Sequence, residues 1–220
     1  MQDPNSNLAP SVALPNTKPV HMGIFEHWPN RITAMRFIGS LVLFALFAVQ
    51  GREAFVEQGL FINLVFWLFV LNCASDALDG YIARAQNVVT AFGRIADPFC
   101  DKVLILGTMI FLSNADWSRD MFPAWMVVLI LAREFLVTGI RGYIESIGKE
   151  FPADGFGKAK MILQCIWIGA ALGAPAFPWP EALREVLVQG TYVLGWLTVL
   201  ATIGSGLQYV LKTKKILAST

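Results

Sequence analysis

Hydrophobic and polar residues are segregated along the chain into long uncharged runs separated by short charged stretches. The runs cover residues 37–51, 58–75, 103–115, 121–132, 161–180 and 186–211. A helix needs about 20 apolar residues to cross a bilayer, and only three of the runs come near that length or exceed it. The other three reach it only if each helix continues through charged residues at one end. The pattern therefore predicts an all-α integral membrane bundle of six transmembrane helices.

Composition and net charge narrow the class of protein further. Hydrophobic residues make up 55% of the chain and charged residues 15%, which is too apolar for an ordinary soluble domain. The formal net charge is only +1, so bulk charge gives no reason to expect a nucleic-acid partner, and we expect none. The partners that this composition indicates are membrane lipids.

The two ends of the chain differ from the apolar centre. Residues 1–21 contain four prolines and no apolar core, which predicts a flexible tail. Apolar and polar side chains alternate over residues 21–30 as in a short interfacial helix that precedes the first span. We therefore expect one membrane domain over residues 22–212 and a cytoplasmic C-terminal tail at 213–220.

The distribution of basic residues predicts the orientation in the membrane. The connections at 51–59, 113–122 and 175–186 hold three of the 17 lysines and arginines, and the other 14 lie in or near the tails and the alternate connections. Lysine and arginine are enriched on the cytoplasmic side. Both termini are then cytoplasmic, and the expected location is the inner or plasma membrane of a bacterium.

Two pairs of aspartates stand out within these apolar surroundings. Asp76 and Asp79 are three residues apart and Asp97 and Asp101 are four apart, so on helices each pair shares a face. If the connection around 85–93 lets the two helices lie antiparallel, all four carboxylates converge. Such a group of hard oxygen ligands selects Mg²⁺, Mn²⁺ or Ca²⁺, and two divalent ions would balance its charge. Paired metals of this kind serve displacement at phosphorus.

Residues beside the aspartates support a phosphate ligand but leave alternatives open. Gly80 leaves room for a ligand to approach the backbone, and Arg84 can supply a phosphate-binding fork. One alternative is a set of helix-end salt bridges with Arg84, Arg94 or Lys102. Another is a cation-binding gate in a small transporter or channel, although this would leave Gly80 and Arg84 unexplained.

The run from Asp76 to Asp101 follows the pattern D-x2-D-G-x2-A-R-x8-G-x3-D-x3-D without a departure. Its fixed positions are Asp76, Asp79, Gly80, Ala83, Arg84, Gly93, Asp97 and Asp101. The run resembles the signature of the CDP-alcohol phosphatidyltransferases. The resemblance implies a six-helix membrane fold, usually dimeric, that transfers the phosphatidyl group of CDP-diacylglycerol to an alcohol and releases CMP.

The same resemblance implies roles for individual residues. Two ions of Mg²⁺ or Mn²⁺ would be held by Asp76, Asp79, Asp97 and Asp101. Asp101 would also accept the proton of the attacking hydroxyl group. The residues implied to bind CDP-diacylglycerol are Asn30 and Thr33 in the run PNRITAMR, together with Gly80, Ala83, Arg84 and Gly93.

Basic residues downstream indicate the acceptor alcohol. Arg133 and Arg141 are eight residues apart, a little over two helical turns, so both can point the same way, and Lys158 and Lys160 begin a later helix. A cationic pocket suits a phosphorylated acceptor, although positive-inside bias could explain part of this charge. Arg133 and Glu134, then Arg141, then the run G-K-x-K at 157–160 form an arrangement that resembles the phosphatidylglycerophosphate synthase branch. This resemblance implies that the acceptor is sn-glycerol 3-phosphate. Inositol phosphate, serine and phosphatidylglycerol remain alternative acceptors.

Overall fold

The computed structural model describes residues 28–50, 59–86, 91–148 and 155–218. For residues 28–29, 50, 77–86, 91–95, 155–156, 215 and 217–218 it describes the backbone only. Within these ranges helix is the only regular secondary structure. Its helices are α1 (Trp28–Gln50), α2 (Gly59–Gln86), α3 (Ala91–Asn114), α4 (Ala124–Ser146), α5 (Gly155–Ala176) and α6 (Glu181–Ala218).

Most of each apolar run lies within a single helix. The helices that need additional length continue through charged residues at one end, as the sequence predicts. α1 begins before Arg31 and Arg36, and α3 begins before Asp97 and Asp101. α4 continues through Arg133 to Ser146. The prediction of six helices in an all-α protein is confirmed for the part of the chain that the structure describes.

The helices pack in a closed ring. α1 packs against α2 and α3, α5 packs against α2, α3 and α6, and α4 packs against α3 and α6. The order around the ring is α1, α2, α5, α6, α4, α3, and α3 and α5 also touch across it. α1 therefore lies beside both helices that carry the predicted aspartate pairs.

Small residues let neighbouring helices approach closely, as is common in membrane bundles. A Cβ atom added to Gly39 on α1 would lie 2.6 Å from the side-chain oxygen of Asn72 on α2. A Cβ atom added to Gly195 on α6 would lie 2.9 Å from the ring of Trp167, a fully buried side chain on α5. Glycine at these two positions sets the distance between the helices and thereby the position of the polar residues farther along them.

The outer faces of the bundle are apolar. α1, α2, α5 and α6 are long and apolar enough to cross a membrane, judged by length and composition. Large hydrophobic side chains such as Leu60, Trp67, Val193 and Leu200 are about half exposed or more. Apolar surface of this extent is typical of helices that contact lipid.

Two predictions concern the ends of the chain. Residues 21–27, which hold most of the predicted interfacial helix, lie outside the described residues, and Trp28 to Asn30 belong to α1. α6 continues to Ala218, past the predicted end of the membrane domain at residue 212. Since α6 has 38 residues and a helix rises 1.5 Å per residue, its length of about 57 Å exceeds a bilayer core of about 30 Å.

Candidate active site

Three of the predicted aspartates surround one guanidinium group, that of Arg36 on α1. Arg36 Nη1 donates to Asp76 Oδ1 at 2.5 Å and to Asp101 Oδ1 at 2.7 Å. Its Nη2 lies 3.5 Å from Asp97 Oδ1, which also accepts a hydrogen bond of 2.6 Å from Thr33 Oγ1. We call Asp76, Asp97, Asp101 and Arg36 the acidic cluster. It forms because α1 lies between the ends of α2 and α3.

Burial and charge in the acidic cluster favour the binding of additional cations. The Arg36 side chain is 4% exposed, whereas the carboxylates of Asp101, Asp76 and Asp97 are 26%, 29% and 45% exposed. Three carboxylates beside one guanidinium leave an excess of two negative charges when all are ionised. The exposed carboxylate oxygens are hard ligands of the kind that Mg²⁺ and Mn²⁺ prefer. The donor types therefore suit a divalent metal, but among the described residues no three carboxylate, thiol or imidazole side chains are arranged to hold one, because these carboxylates face Arg36.

Other predicted site residues can be placed only by their helix. Asp79, Gly80, Ala83 and Arg84 belong to the last part of α2, and Gly93 belongs to the start of α3. Their side chains fall outside the described part of the structure, so their roles stay predictions. Asn30, predicted to bind CDP-diacylglycerol, is a buried residue of α1 on the same face as Thr33.

A cavity of about 740 Å³ opens beside the acidic cluster between α3, α4, α5 and α6. All four residues predicted to bind the acceptor phosphate line it. The charged residues in its wall are Lys102, Arg133, Arg141, Lys158 and Lys160 on the basic side and Asp101, Glu134 and Glu145 on the acidic side. The excess of basic residues gives the cavity a positive character that suits an anion.

One carboxylate holds two of the cavity's cations. Arg133 Nη1 donates to Glu134 Oε1 at 3.0 Å, and Lys160 Nζ donates to the same oxygen. Arg133 and Lys160 are nearly buried, at 9% and 3% exposure, so a nearby negative charge is needed to stabilise them. We call Arg133, Arg141, Lys158, Lys160 and Glu134 the basic cluster.

A tyrosine from the last helix completes the wall of the cavity. Arg141 Nη2 donates to the hydroxyl oxygen of Tyr209 at 2.9 Å. The guanidinium carbon of Arg133 lies 5.4 Å from the centre of the Tyr209 ring, within the range of a cation–π contact. Tyr209 is 3% exposed and belongs to α6.

Asp101 belongs to both regions. One of its oxygens accepts from Arg36 in the acidic cluster, and its side chain also lines the cavity of the basic cluster. A molecule whose phosphate lies among the basic residues can therefore present another of its groups to Asp101. This juxtaposition suits a reaction in which a carboxylate takes a proton from a phosphorylated substrate.

Arg36, Glu134 and Tyr209 are not among the predicted site residues. A signal for Arg36 was present, because Asn30, Thr33, Arg36 and Ser40 recur at helical spacing on an otherwise apolar helix, and all four are buried. α6 carries a similar stripe of buried polar residues that ends at Tyr209, namely Thr191, Thr198, Thr202, Ser205 and Tyr209. A polar stripe on a membrane helix indicates a face directed to the bundle interior.

The class of protein follows from comparison with known families. The sequence model of the CDP-alcohol phosphatidyltransferases matches residues 26–204, which is more than half of the chain. The match includes every residue of the acidic and basic clusters, and Tyr209 lies just beyond it. The chain belongs to this family, and the family prediction is confirmed.

Individual members of this family can be compared with the chain over most of its length. A protein of Bacillus subtilis is 38% identical over 59% of this chain and 68% of its own length. A protein of Rickettsia felis is 33% identical over 88% of this chain and 99% of its own length. Both are named CDP-diacylglycerol–glycerol-3-phosphate 3-phosphatidyltransferase. A Mycobacterium tuberculosis protein named probable phosphatidylglycerophosphate synthase is 32% identical over 82% of this chain and 78% of its own length.

Proposed function

We propose that this protein transfers the phosphatidyl group of CDP-diacylglycerol to sn-glycerol 3-phosphate, giving phosphatidylglycerophosphate and CMP. Family membership supports the transferase chemistry, and the names of the relatives support the acceptor. The observation that carries the proposal is the position of Asp101, which shares Arg36 with Asp76 of α2 and Asp97 of α3 on one side and lines a cavity with five basic residues on the other.

The acidic cluster is the proposed metal site. Asp76, Asp97 and Asp101, together with Asp79 by family resemblance, would hold two ions of Mg²⁺ or Mn²⁺. Bound there, the ions would neutralise charge on the diphosphate and stabilise the oxygen of departing CMP. Arg36 contacts three of these carboxylates and so fixes their relative positions, and Thr33 orients Asp97 through its hydrogen bond.

The basic cluster would bind and orient the acceptor. All four basic residues would contact the phosphate: Arg141 and Lys158 from the exposed part of the wall, and Arg133 and Lys160 from the buried part, where Glu134 holds both. The cavity volume of about 740 Å³ lies within the range of about 300 to 1,000 Å³ of small-molecule sites. A phosphate bound there would leave a free hydroxyl group of glycerol phosphate within the part of the cavity that Asp101 lines.

Transfer would then proceed in one displacement at phosphorus. The hydroxyl oxygen of the acceptor attacks the lipid-side phosphorus while its proton passes to Asp101. The bond from that phosphorus to the bridging oxygen of the diphosphate breaks, and CMP leaves with that oxygen. Asn30, Gly80, Ala83, Arg84 and Gly93 would border the cytidine and diphosphate, as the family resemblance implies.

The membrane arrangement follows from the same proposal. All six helices would cross the bilayer, with the charged ends of α3 and α4 at the cytoplasmic surface, where a water-soluble acceptor meets a lipid substrate. The contacts that join α1, α2 and α3, and those that join α4, α5 and α6, put the polar helix ends on one side of the bundle. We also propose a homodimer in a bacterial plasma membrane, from the family resemblance.

The test is a transfer assay with the purified chain in detergent. CDP-diacylglycerol and Mg²⁺ or Mn²⁺ are supplied with labelled glycerol 3-phosphate, inositol phosphate, serine or phosphatidylglycerol, one at a time. We expect CMP release only with a divalent metal and with glycerol 3-phosphate as the preferred acceptor. Preference for another acceptor would reject the glycerol-phosphate assignment, and absence of CMP release with every acceptor would support a transporter or channel instead.

Topology can be tested by labelling single cysteines in a background in which Cys73, Cys100 and Cys165 are replaced. Cysteines at Arg119 and Arg184 should react with an impermeant reagent added from outside the cell. A cysteine at Asn87 should react only after the membrane is opened. Outside labelling at Asn87 would place the site on the side without nucleotide and overturn the orientation.

A further inference from the structure

Tyr209 on α6 contacts both arginines of the cavity wall, and Gly206, three residues earlier, also faces the Arg133 side chain. The helix packs against both α4 and α5, and its interior face carries the polar stripe defined above. Arg133 and Arg141 are eight residues apart on α4, about 12 Å along the helix axis. One side chain of α6 contacts both of them, the first through the face of its ring and the second through its hydroxyl group.

The chemistry of these contacts differs from that at Glu134. The Glu134 carboxylate neutralises part of the charge of Arg133 and Lys160 as well as orienting them. The Tyr209 hydroxyl is a neutral acceptor, so it fixes the direction of the Arg141 guanidinium and leaves its full charge available to an anion. The exposed position of Arg141 makes such orientation useful, because a free arginine side chain loses considerable rotamer entropy when it binds a ligand.

We infer that Tyr209 is a positioning residue of the acceptor-phosphate site, which preorganises Arg141 through its hydroxyl group and supports Arg133 through its ring. The inference rests on the proposed function and adds α6 to the elements that determine acceptor affinity. Preorganisation of this kind improves binding by lowering the entropic cost of ordering the ligand-binding group.

Two variants separate the parts of this role. Tyr209→Phe keeps the ring above Arg133 and removes only the hydroxyl group. We expect it to raise the KM for glycerol 3-phosphate roughly 3- to 10-fold, with kcat and the KM for CDP-diacylglycerol nearly unchanged. Tyr209→Leu also removes the cation–π contact and should raise that KM roughly 10- to 50-fold. The matched control is Tyr192→Phe on the exposed face of the same helix, which should behave as the wild type.

A double variant distinguishes positioning from a general loss of structure. If the hydroxyl group acts through Arg141, Tyr209→Phe should have no further effect on the glycerol-phosphate KM in an Arg141→Ala background. If the double variant instead showed the product of the two single-variant increases in KM, the inference would be overturned. Wild-type kinetics in Tyr209→Phe alone would overturn it as well. Equal changes in both KM values together with a lower melting temperature would assign Tyr209 to fold stability instead.

Binding of glycerol 3-phosphate measured by calorimetry keeps the inference separate from the activity. Tyr209→Phe should weaken this binding roughly 3- to 10-fold, whether or not transfer is observed. Wild-type binding without any transfer would reject the proposed reaction and leave the role of Tyr209 supported. Equal binding by wild type and Tyr209→Phe would reject the role of Tyr209 even if the reaction is confirmed.

Discussion

The acidic and basic clusters are built on opposite patterns of charge. In the acidic cluster three carboxylates surround one buried cation, Arg36. In the basic cluster two nearly buried cations share one carboxylate, Glu134, and two further cations line the cavity. Arg36 contacts all three carboxylates of its cluster and Glu134 contacts two of the four cations of its cluster, and neither balances the charge around it.

The remaining charge indicates what each cluster binds. A central counter-ion offsets part of the repulsion among like charges during folding, so the cluster forms without a ligand of full opposite charge. The excess that remains is negative around Arg36 and positive around Glu134. The first suits metal ions and the second suits a phosphate group, and Asp101 lies where the two regions meet.

The largest effect is expected from Asp101→Asn, which removes the shared proton acceptor and keeps the shape of the side chain. Transfer should fall roughly 10²- to 10⁴-fold, because an amide cannot take the proton of the acceptor hydroxyl. Steady-state CMP release measures this loss, and CDP-diacylglycerol binding should persist. Asp76→Ala should abolish both metal binding and transfer.

The control for Asp101→Asn is Asp116→Asn in the connection between α3 and α4, whose side chain is 47% exposed and paired only at the surface. This variant should retain full activity. Near-normal turnover in Asp101→Asn would remove Asp101 from the role of base.

Arg36→Gln tests the central cation of the acidic cluster. We expect it to lower the free energy of unfolding by roughly 2 to 4 kcal/mol, because it leaves like charges close together and partly buried. Denaturant titration in detergent measures the change, and added Mg²⁺ should restore part of it. Arg119→Gln is the control, since Arg119 forms an exposed pair with Asp116 at 3.2 Å, worth about 0 to 1 kcal/mol. Equal loss in both variants would contradict a special role for Arg36.

Arg141→Ala tests the charge that Tyr209 orients in the basic cluster. Loss of a charge-assisted contact worth roughly 1.5 to 3 kcal/mol should raise the KM for glycerol 3-phosphate about 10- to 100-fold. Arg141→Lys should recover only part of the affinity, because an ammonium group lacks the planar fork. Arg184→Ala, at the opposite end of the bundle, should leave both KM values unchanged. A matching rise in the KM for CDP-diacylglycerol would contradict a selective acceptor role.

The smallest effect is expected from Lys158→Ala. Lys158 lines the cavity but is exposed to solvent, where a single charge contributes little. The KM for glycerol 3-phosphate should rise roughly 2- to 5-fold, and raising the ionic strength should reduce the difference from wild type. A loss as large as that of Arg141→Ala would mean that exposure is a poor guide to the ranking within the basic cluster.

The six helices could be predicted because lipid requires long apolar runs, and the charged ends of α3 and α4 followed from the length that a span needs. The aspartate pairs could be predicted from their spacing on single helices. Arg36 and Tyr209 were not predicted as site residues because their contacts join positions 40 to 68 residues apart. Periodicity shows that a polar stripe faces inward, but only the packing order of the ring shows which helix it meets.

The most direct test of the link between the two clusters compares two acceptors in two enzymes. The ratio of kcat/KM for glycerol 3-phosphate to that for glycerol measures how much the acceptor phosphate contributes to binding the transition state. We predict a large ratio for the wild type and a ratio roughly 10- to 100-fold smaller for Arg141→Ala, with the value for glycerol itself nearly unchanged. An equal ratio in both enzymes would show that the phosphate does not lie against Arg141 while the hydroxyl group reacts at Asp101.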